Sequence, residues 1–235
     1  MADDGAQRVV AARLPGSGVL GLVVPPGAGL VPAPLLADPA WTAQVLEARA
    51  PRGRPVDRRV LATVWWYSAS SVLVTPPLAG LVAGSPLSAR LADLTVALLP
   101  DLTPIAAVAP AGAVHPAADL RATLAAVVAA VAEAGGVRER PLWAIATDAL
   151  ANALLTLGRA IGRVPEVTAL ARPLAEAVGA PLPLPRYEDV GAARFTRRAS
   201  CCLLYRMPAG SLCTSCPRRT PAERHALLED VARRW

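Results

Sequence analysis

The chain has 235 residues, of which 54% are hydrophobic and 18% charged, with a formal net charge of +6. That size and apolar content suit one large domain, or a domain with a small appendage, and exclude a wholly disordered chain. All 24 basic residues are arginine, which removes a lysine Schiff base and a P-loop lysine from the available chemistry.

The N-terminal "MADDGAQRVV" is acidic and lacks the basic and apolar regions of a signal peptide, so no secretory leader is expected. Residues 1–33, rich in Gly, Pro and Val, predict short strands and turns rather than a long helix. "GSGVLG" at Gly16–Gly21 is a weak imitation of a dinucleotide-binding loop, without the helix that such a loop opens. Asp38 before Pro39 predicts a helix start in "DPAWTAQVLEARA", and residues 50–59 read as a charged surface loop. A helix over about 56–74 carries Trp65, Trp66 and Tyr67, expected mainly in the core, with a pocket for a large flat ligand as their other use.

No residue from Val60 to Ala89 is charged. The stretch is long enough to span a bilayer. Pro76, Pro77 and Pro86 break it and five serines dilute it, so a buried helix followed by a turn is expected. Loose contact with a membrane surface stays open. Two apolar runs flanking "PDLTP" predict a β-hairpin, with strands near 93–99 and 104–109. His115, before Pro116, reads as a capping or surface residue.

Three helices are expected next: "PAADLRATLAAVVAAVAEAGG", "PLWAIATDALANALLTLGRAIG" opened by Pro141, and "PEVTALARPLAEAVG" with a kink at Pro173. Asp148 and Asn152 share a face of the second and are expected to form a buried hydrogen-bonded pair. Residues 180–190 read as a Pro-rich connector. Thr220, Pro221 and Glu223 form a capping box with a proline start, so a last helix should reach about Arg234. The fold class expected is α+β, predominantly helical with a small β-hairpin or sheet component and a C-terminal cysteine loop pinned by a terminal helix. The division expected is a helix-rich domain, residues 1–190, and a C-terminal metal-binding segment, 191–235, packed on it.

All four cysteines, Cys201, Cys202, Cys213 and Cys216, lie in one window. Disulfides are the weakest explanation, because nothing suggests secretion and a bond between adjacent cysteines strains the chain. Zinc sites are usually built from two C-x2–4-C knuckles, and only Cys213–Cys216 is one. A [2Fe–2S] rhomb needs two ligands per iron and gives the adjacent pair more room. Ten residues, including Pro208 and Gly210, are enough to loop around it. Spacing thus favours iron–sulfur and leaves zinc open. His225 is a weak alternative ligand.

Residues 186–235 hold ten arginines against five acids, so positive charge gathers around the cysteines and attracts anions. Nucleic acid is not indicated, since no basic motif interleaved with aromatics is visible. Arg197, Arg198, Arg206, Arg218 and Arg219 are the candidates for docking an anionic ligand or a redox partner. Tyr205 and Met207 are expected to pack around the metal group.

The C-C-x10-C-x2-C arrangement resembles that of the ferric-siderophore reductase family, the FhuF-like proteins, whose C-terminal signature surrounds a [2Fe–2S] cluster. The chain matches that spacing at Cys201, Cys202, Cys213 and Cys216, and the specific likeness runs from about Arg198 to Arg219. The resemblance implies a helix-rich α+β fold, shared with the C-terminal region of aerobactin-type siderophore synthetases. It also implies a cytoplasmic oxidoreductase that reduces a ferric siderophore by one electron. With no nicotinamide-binding motif visible, the electron is expected from a ferredoxin or an NAD(P)H-dependent reductase. A zinc-stapled module that binds a siderophore or a protein, and an iron–sulfur carrier with another acceptor, are the competing readings. Cys201 with Cys202 on one iron and Cys213 with Cys216 on the other is the pairing expected.

Overall fold

The computed structural model describes residues 4–18, 20–51, 53, 55–112 and 116–234. His115 lies outside the described residues, as do Arg52 and Arg54 of the expected surface loop. The described chain is predominantly helical with two small antiparallel sheets, which bears out the expected fold class.

The N-terminal region departs from its expectation. Residues Gly5–Ala12 form a helix, α1, and the only strand in residues 4–33 among those described is β1, Gly29–Pro32. Gln7 explains why α1 stays docked. Its buried amide donates to Leu22 O (2.9 Å) and Ala107 O (2.8 Å) and accepts from Ala109 N (2.8 Å). A fully satisfied buried amide ties distant segments together where an unsatisfied one would cost stability. Gly16–Gly18 and Leu20–Gly21 lie in turns after α1, with no strand before them among the described residues.

Helix α2 spans Pro39–Ala48, and the Asp38 side chain accepts from Ala40 N as its cap. Helix α3, Arg58–Ala83, is the longest element and crosses the centre of the core. It continues unbroken past Pro76 and Pro77, contrary to the expected break. A proline inside a helix costs about 3 kcal/mol. Against this, 18 of the 26 residues of α3 are buried, and each fully buried large apolar side chain contributes about 1.5–3 kcal/mol. The helix ends at Gly84, in the left-handed region at φ 67°, where Ser85 N bonds back to Gly80 O. Trp65 and Trp66 are wholly buried, their indoles donating to Leu102 O and Leu142 O.

The predicted hairpin is present as β2, Thr95–Leu98, and β3, Pro104–Val108, and β1 adds to it in the order β1-β2-β3. Helices α4 (Pro116–Gly135) and α5 (Glu139–Ala160) pack against α3. The expected kinked third helix is instead two helices, α6 (Val164–Ala169) and α7 (Ala171–Val178), which meet at Leu170. Pro173 has no N–H to donate to Ala169 O, so α6 ends there and the proline falls in the first turn of α7, where a donor is not needed.

The Pro-rich connector is shorter than expected, because β4 (Tyr187–Val190) pairs with β5 (Ala193–Thr196) in a second hairpin. The last helix, α8, spans Pro221–Ala232 with both arms of the Thr220–Glu223 capping box formed. Leu228 of α8 packs on Val190 and Phe195 of the hairpin. The cysteine loop is therefore held between a hairpin seated on α5 and a helix seated on that hairpin. Among the described residues, no helix is long and apolar enough to cross a membrane.

Candidate metal centre

The loop between β5 and α8 folds over α3, with Leu204–Arg206 as a single 3-10 turn and Met207 packed on the main core. Leu203 and Ala209 both adopt positive φ, at 60°. A β-carbon on Gly210 would lie 2.0 Å from Leu204 O, so only glycine lets the loop close on itself there. Cys216 N donates to Cys213 O (3.1 Å), which shapes the knuckle. Arg219 braces it from outside, donating to Cys213 O (3.0 Å) and Leu212 O (2.8 Å), while Arg218 stacks over the Tyr205 ring.

All four cysteines are free thiols, with Cys202 and Cys216 buried and Cys201 and Cys213 half-buried. The sulfurs of Cys201 and Cys216 lie 3.9 Å apart. Two thiolates on one tetrahedral metal with metal–sulfur bonds of about 2.3 Å stand about 3.8 Å apart, so this pair has the separation of co-ligands. Cys202 and Cys213 are joined differently. Arg198 Nη1 lies 3.7 Å from the first sulfur and 3.5 Å from the second. Among the described residues, no three His, Cys, Asp or Glu side chains converge on a single-ion site.

Arg198 is the hub that sequence reasoning placed on a docking surface and that the structure places inside. Its side chain is 5% exposed, and its Nε faces the Asp148 carboxylate, itself 2% exposed, at 3.4 Å. The guanidinium stands over the Tyr67 ring at 5.2 Å. Burial would lower its pKa, but the charges of Cys202 and Asp148 outweigh that and hold it above the usual arginine value. Asp148 also accepts from Ala199 N (2.7 Å) and Ser200 N (3.2 Å), so its oxygens meet only donors, the pattern of an ionised carboxylate. Burial nevertheless pushes its pKa up, against these donors and Arg198.

This replaces the expected Asp148–Asn152 pair: Asp148 turns to the cysteine loop, and Asn152 lines a separate cleft beside Tyr67 and Ser71. Burial raises the pKa of Tyr67, and also of Cys201 and Cys213, the last opposed by Arg198. Arg197 and Arg206 are exposed, and His225 is an exposed partner of Glu229 at 3.3 Å.

Residues 198–218 match the family model of the FhuF 2Fe-2S C-terminal domain. The likeness read from the cysteine spacing therefore stands over this segment, which holds all four cysteines. Its cofactor is a [2Fe–2S] cluster. No curated protein and no solved structure matches the chain.

The residues present fit that group. Arg198 Nη2 is buried without a hydrogen-bond partner among the described residues, while Nη1 of the same guanidinium lies against two thiols. A buried cationic donor lacking an acceptor is costly. A cluster held by these cysteines would supply sulfide acceptors and negative charge for it. Sequence reasoning singled out the four cysteines from their spacing, but it had no signal for the burial of Arg198, which depends on Asp148, 50 residues away.

Proposed function

We propose that this protein is a ferric-siderophore reductase: Cys201, Cys202, Cys213 and Cys216 hold a [2Fe–2S] cluster, and a separate ferredoxin or NAD(P)H-dependent reductase in the cytoplasm supplies the electron. The observation that carries this reading is the FhuF-type cysteine loop closed over a buried, cationic Arg198. When bound, the cluster supplies one electron at a time.

The chain's own residues set the conditions for that transfer. Arg198 places positive charge and N–H donors beside two ligand sulfurs, which favours the more negative, reduced form and raises the potential. Asp148 fixes the guanidinium and tempers its charge. Leu203, Gly210 and Arg219 shape and brace the loop. The product follows from coordination chemistry. Hard, anionic oxygen donors hold Fe³⁺ far better than Fe²⁺, so reduction releases the metal and spares the chelator. The helix-rich part, residues 1–190, is the platform in this reading, and residues 191–235 carry the cluster. The hydrogen bonds from Arg159 Nη2 to Arg194 O, and from Ala199 N and Ser200 N to the Asp148 carboxylate, support a fixed seat for the segment on α5.

Anaerobic purification with iron, sulfide and zinc analysis on one sample tests the proposal. About two iron and two sulfide per chain, with visible bands bleached by dithionite and oxidised again by a ferric siderophore, is the expected result. Stoichiometric zinc without visible bands, in protein made under iron-replete conditions, contradicts it.

A further inference from the structure

Arg198 and Asp148 form the inner wall of a cavity of about 550 Å³, which opens between α5 and the base of the second hairpin. Its other walls are Pro183 and Leu184, which are apolar, and Arg186 and Arg197, which are both exposed. These two arginines stand directly opposite each other. The β4–β5 register pairs Tyr187 with Thr196, and the next pair outward is Arg186 with Arg197, joined by Arg197 N donating to Arg186 O at 2.9 Å.

Side chains of a directly opposed antiparallel pair share one face with β-carbons about 5 Å apart, and like charges there are destabilising. Among the described residues, no carboxylate pairs with either arginine, although Arg194 on the same hairpin has Asp189 at 2.8 Å. The hairpin thus carries an uncompensated pair of cations facing a cavity. The floor of that cavity is the guanidinium that touches Cys202 and Cys213.

We propose that this cavity is the docking site for a ferric chelate of net negative charge, with Arg186 and Arg197 as its recognition residues. The inference rests on the reductase reading and adds the substrate class. Guanidinium groups bind anionic oxygens and stack on aromatic faces, and Pro183 with Leu184 offers apolar surface, so an aromatic anionic chelate of the tris-catecholate type matches the arginine and apolar walls, while the Asp148 carboxylate is engaged by Arg198 and the Ala199 and Ser200 amides. A chelate seated there is separated from the thiol sulfurs by the Arg198 guanidinium. The concave shape favours a small ligand over the face of a protein donor. The cleft on the other side of Tyr67, lined by Ser68, Ser71, Thr75 and Asn152, has no charged wall among the described residues.

The test uses cluster-loaded full-length protein and two redox-inert probes, the trianionic gallium(III) tris-catecholate and an uncharged gallium(III) tris-hydroxamate. Calorimetric titration should show the trianionic complex bound at least about tenfold more tightly. Arg186→Gln/Arg197→Gln should weaken it by about tenfold per arginine, abolish the preference, and leave the visible spectrum of the cluster unchanged. Ser71→Trp, which fills the uncharged cleft, should leave that binding intact. Equal affinity for both complexes, unaltered binding in the double arginine variant, or loss of binding in Ser71→Trp instead overturns the assignment. So does a double variant that loses only its reduction by the protein donor. The corresponding ferric complexes separate the two levels. If wild-type protein reduces neither, the reductase reading fails and the site with it. If it reduces them and the arginine variant does so equally well, the reductase reading stands and the anion site fails.

Discussion

Replacing Arg198 by methionine removes a cation and its donors from beside two cluster ligands while keeping an apolar body against Tyr67. Unit charges 3.5 Å apart, the separation of Arg198 Nη1 from the Cys213 sulfur, interact by about 5 kcal/mol at an effective dielectric of about 20. The added electron is spread over the whole cluster, and the Asp148 carboxylate offsets part of the guanidinium charge. About 2 kcal/mol should remain, which is about 90 mV for one electron. A redox titration followed in the visible bands should therefore place Arg198→Met about 90 mV below wild type, with Arg198→Lys falling less. Stability changes too, because breaking a buried ion pair costs about 3–5 kcal/mol. The double variant Asp148→Asn/Arg198→Met removes both charges, so it should recover much of that loss while its potential still lies below wild type. A potential for Arg198→Met within about 20 mV of wild type, or above it, refutes the reasoning.

Other consequences follow from the loop geometry. The 3.9 Å contact between Cys201 and Cys216 predicts that these two share an iron and that Cys202 shares the other with Cys213. Resonance Raman and electron paramagnetic resonance spectra of single Cys→Ser variants should then fall into those two pairs; grouping of Cys201 with Cys202 contradicts this. Gly210→Ala puts a β-carbon 2.0 Å from Leu204 O, a clash between backbone and a fixed atom. It should destabilise the loop by about 1–3 kcal/mol, read as faster iron loss to a chelator. Thr220→Ala removes the cap of α8 and should cost about 1 kcal/mol, seen as faster amide exchange in α8 with little change in α3.

The features legible in the sequence are those set within a few residues. The Thr220–Glu223 box needs only its own four residues, and it is present as expected. The C-C-x10-C-x2-C spacing is also local, and it lies within the segment that matches the family model. Helix α4, closed by glycines, and the β2–β3 hairpin around "PDLTP" are likewise local. What was not legible depends on distant partners. The two prolines of α3 persist because α4, α5 and β3 surround it. Helix α1 is held by Gln7 contacts that reach to residue 109. The β4–β5 hairpin was hidden inside a Pro-rich stretch and an arginine-rich one, and with it the opposition of Arg186 and Arg197. Five arginines near the cysteines read alike in sequence. In the fold, Arg198 is buried against Asp148, Arg218 and Arg219 brace the loop, and Arg197 lines a cavity with Arg186, which spacing alone did not single out.

A single turnover tests most directly whether these four cysteines carry an electron to a ferric siderophore. Cluster-loaded protein, reduced with dithionite and freed of excess reductant, is mixed anaerobically with a ferric siderophore and an Fe²⁺-specific chromogenic chelator. The cluster bands should return as Fe²⁺ appears, in a one-to-one ratio, and Cys→Ser variants that cannot hold a cluster should yield no Fe²⁺. A cluster that stays reduced in the presence of ferric siderophores of both charge classes would contradict it.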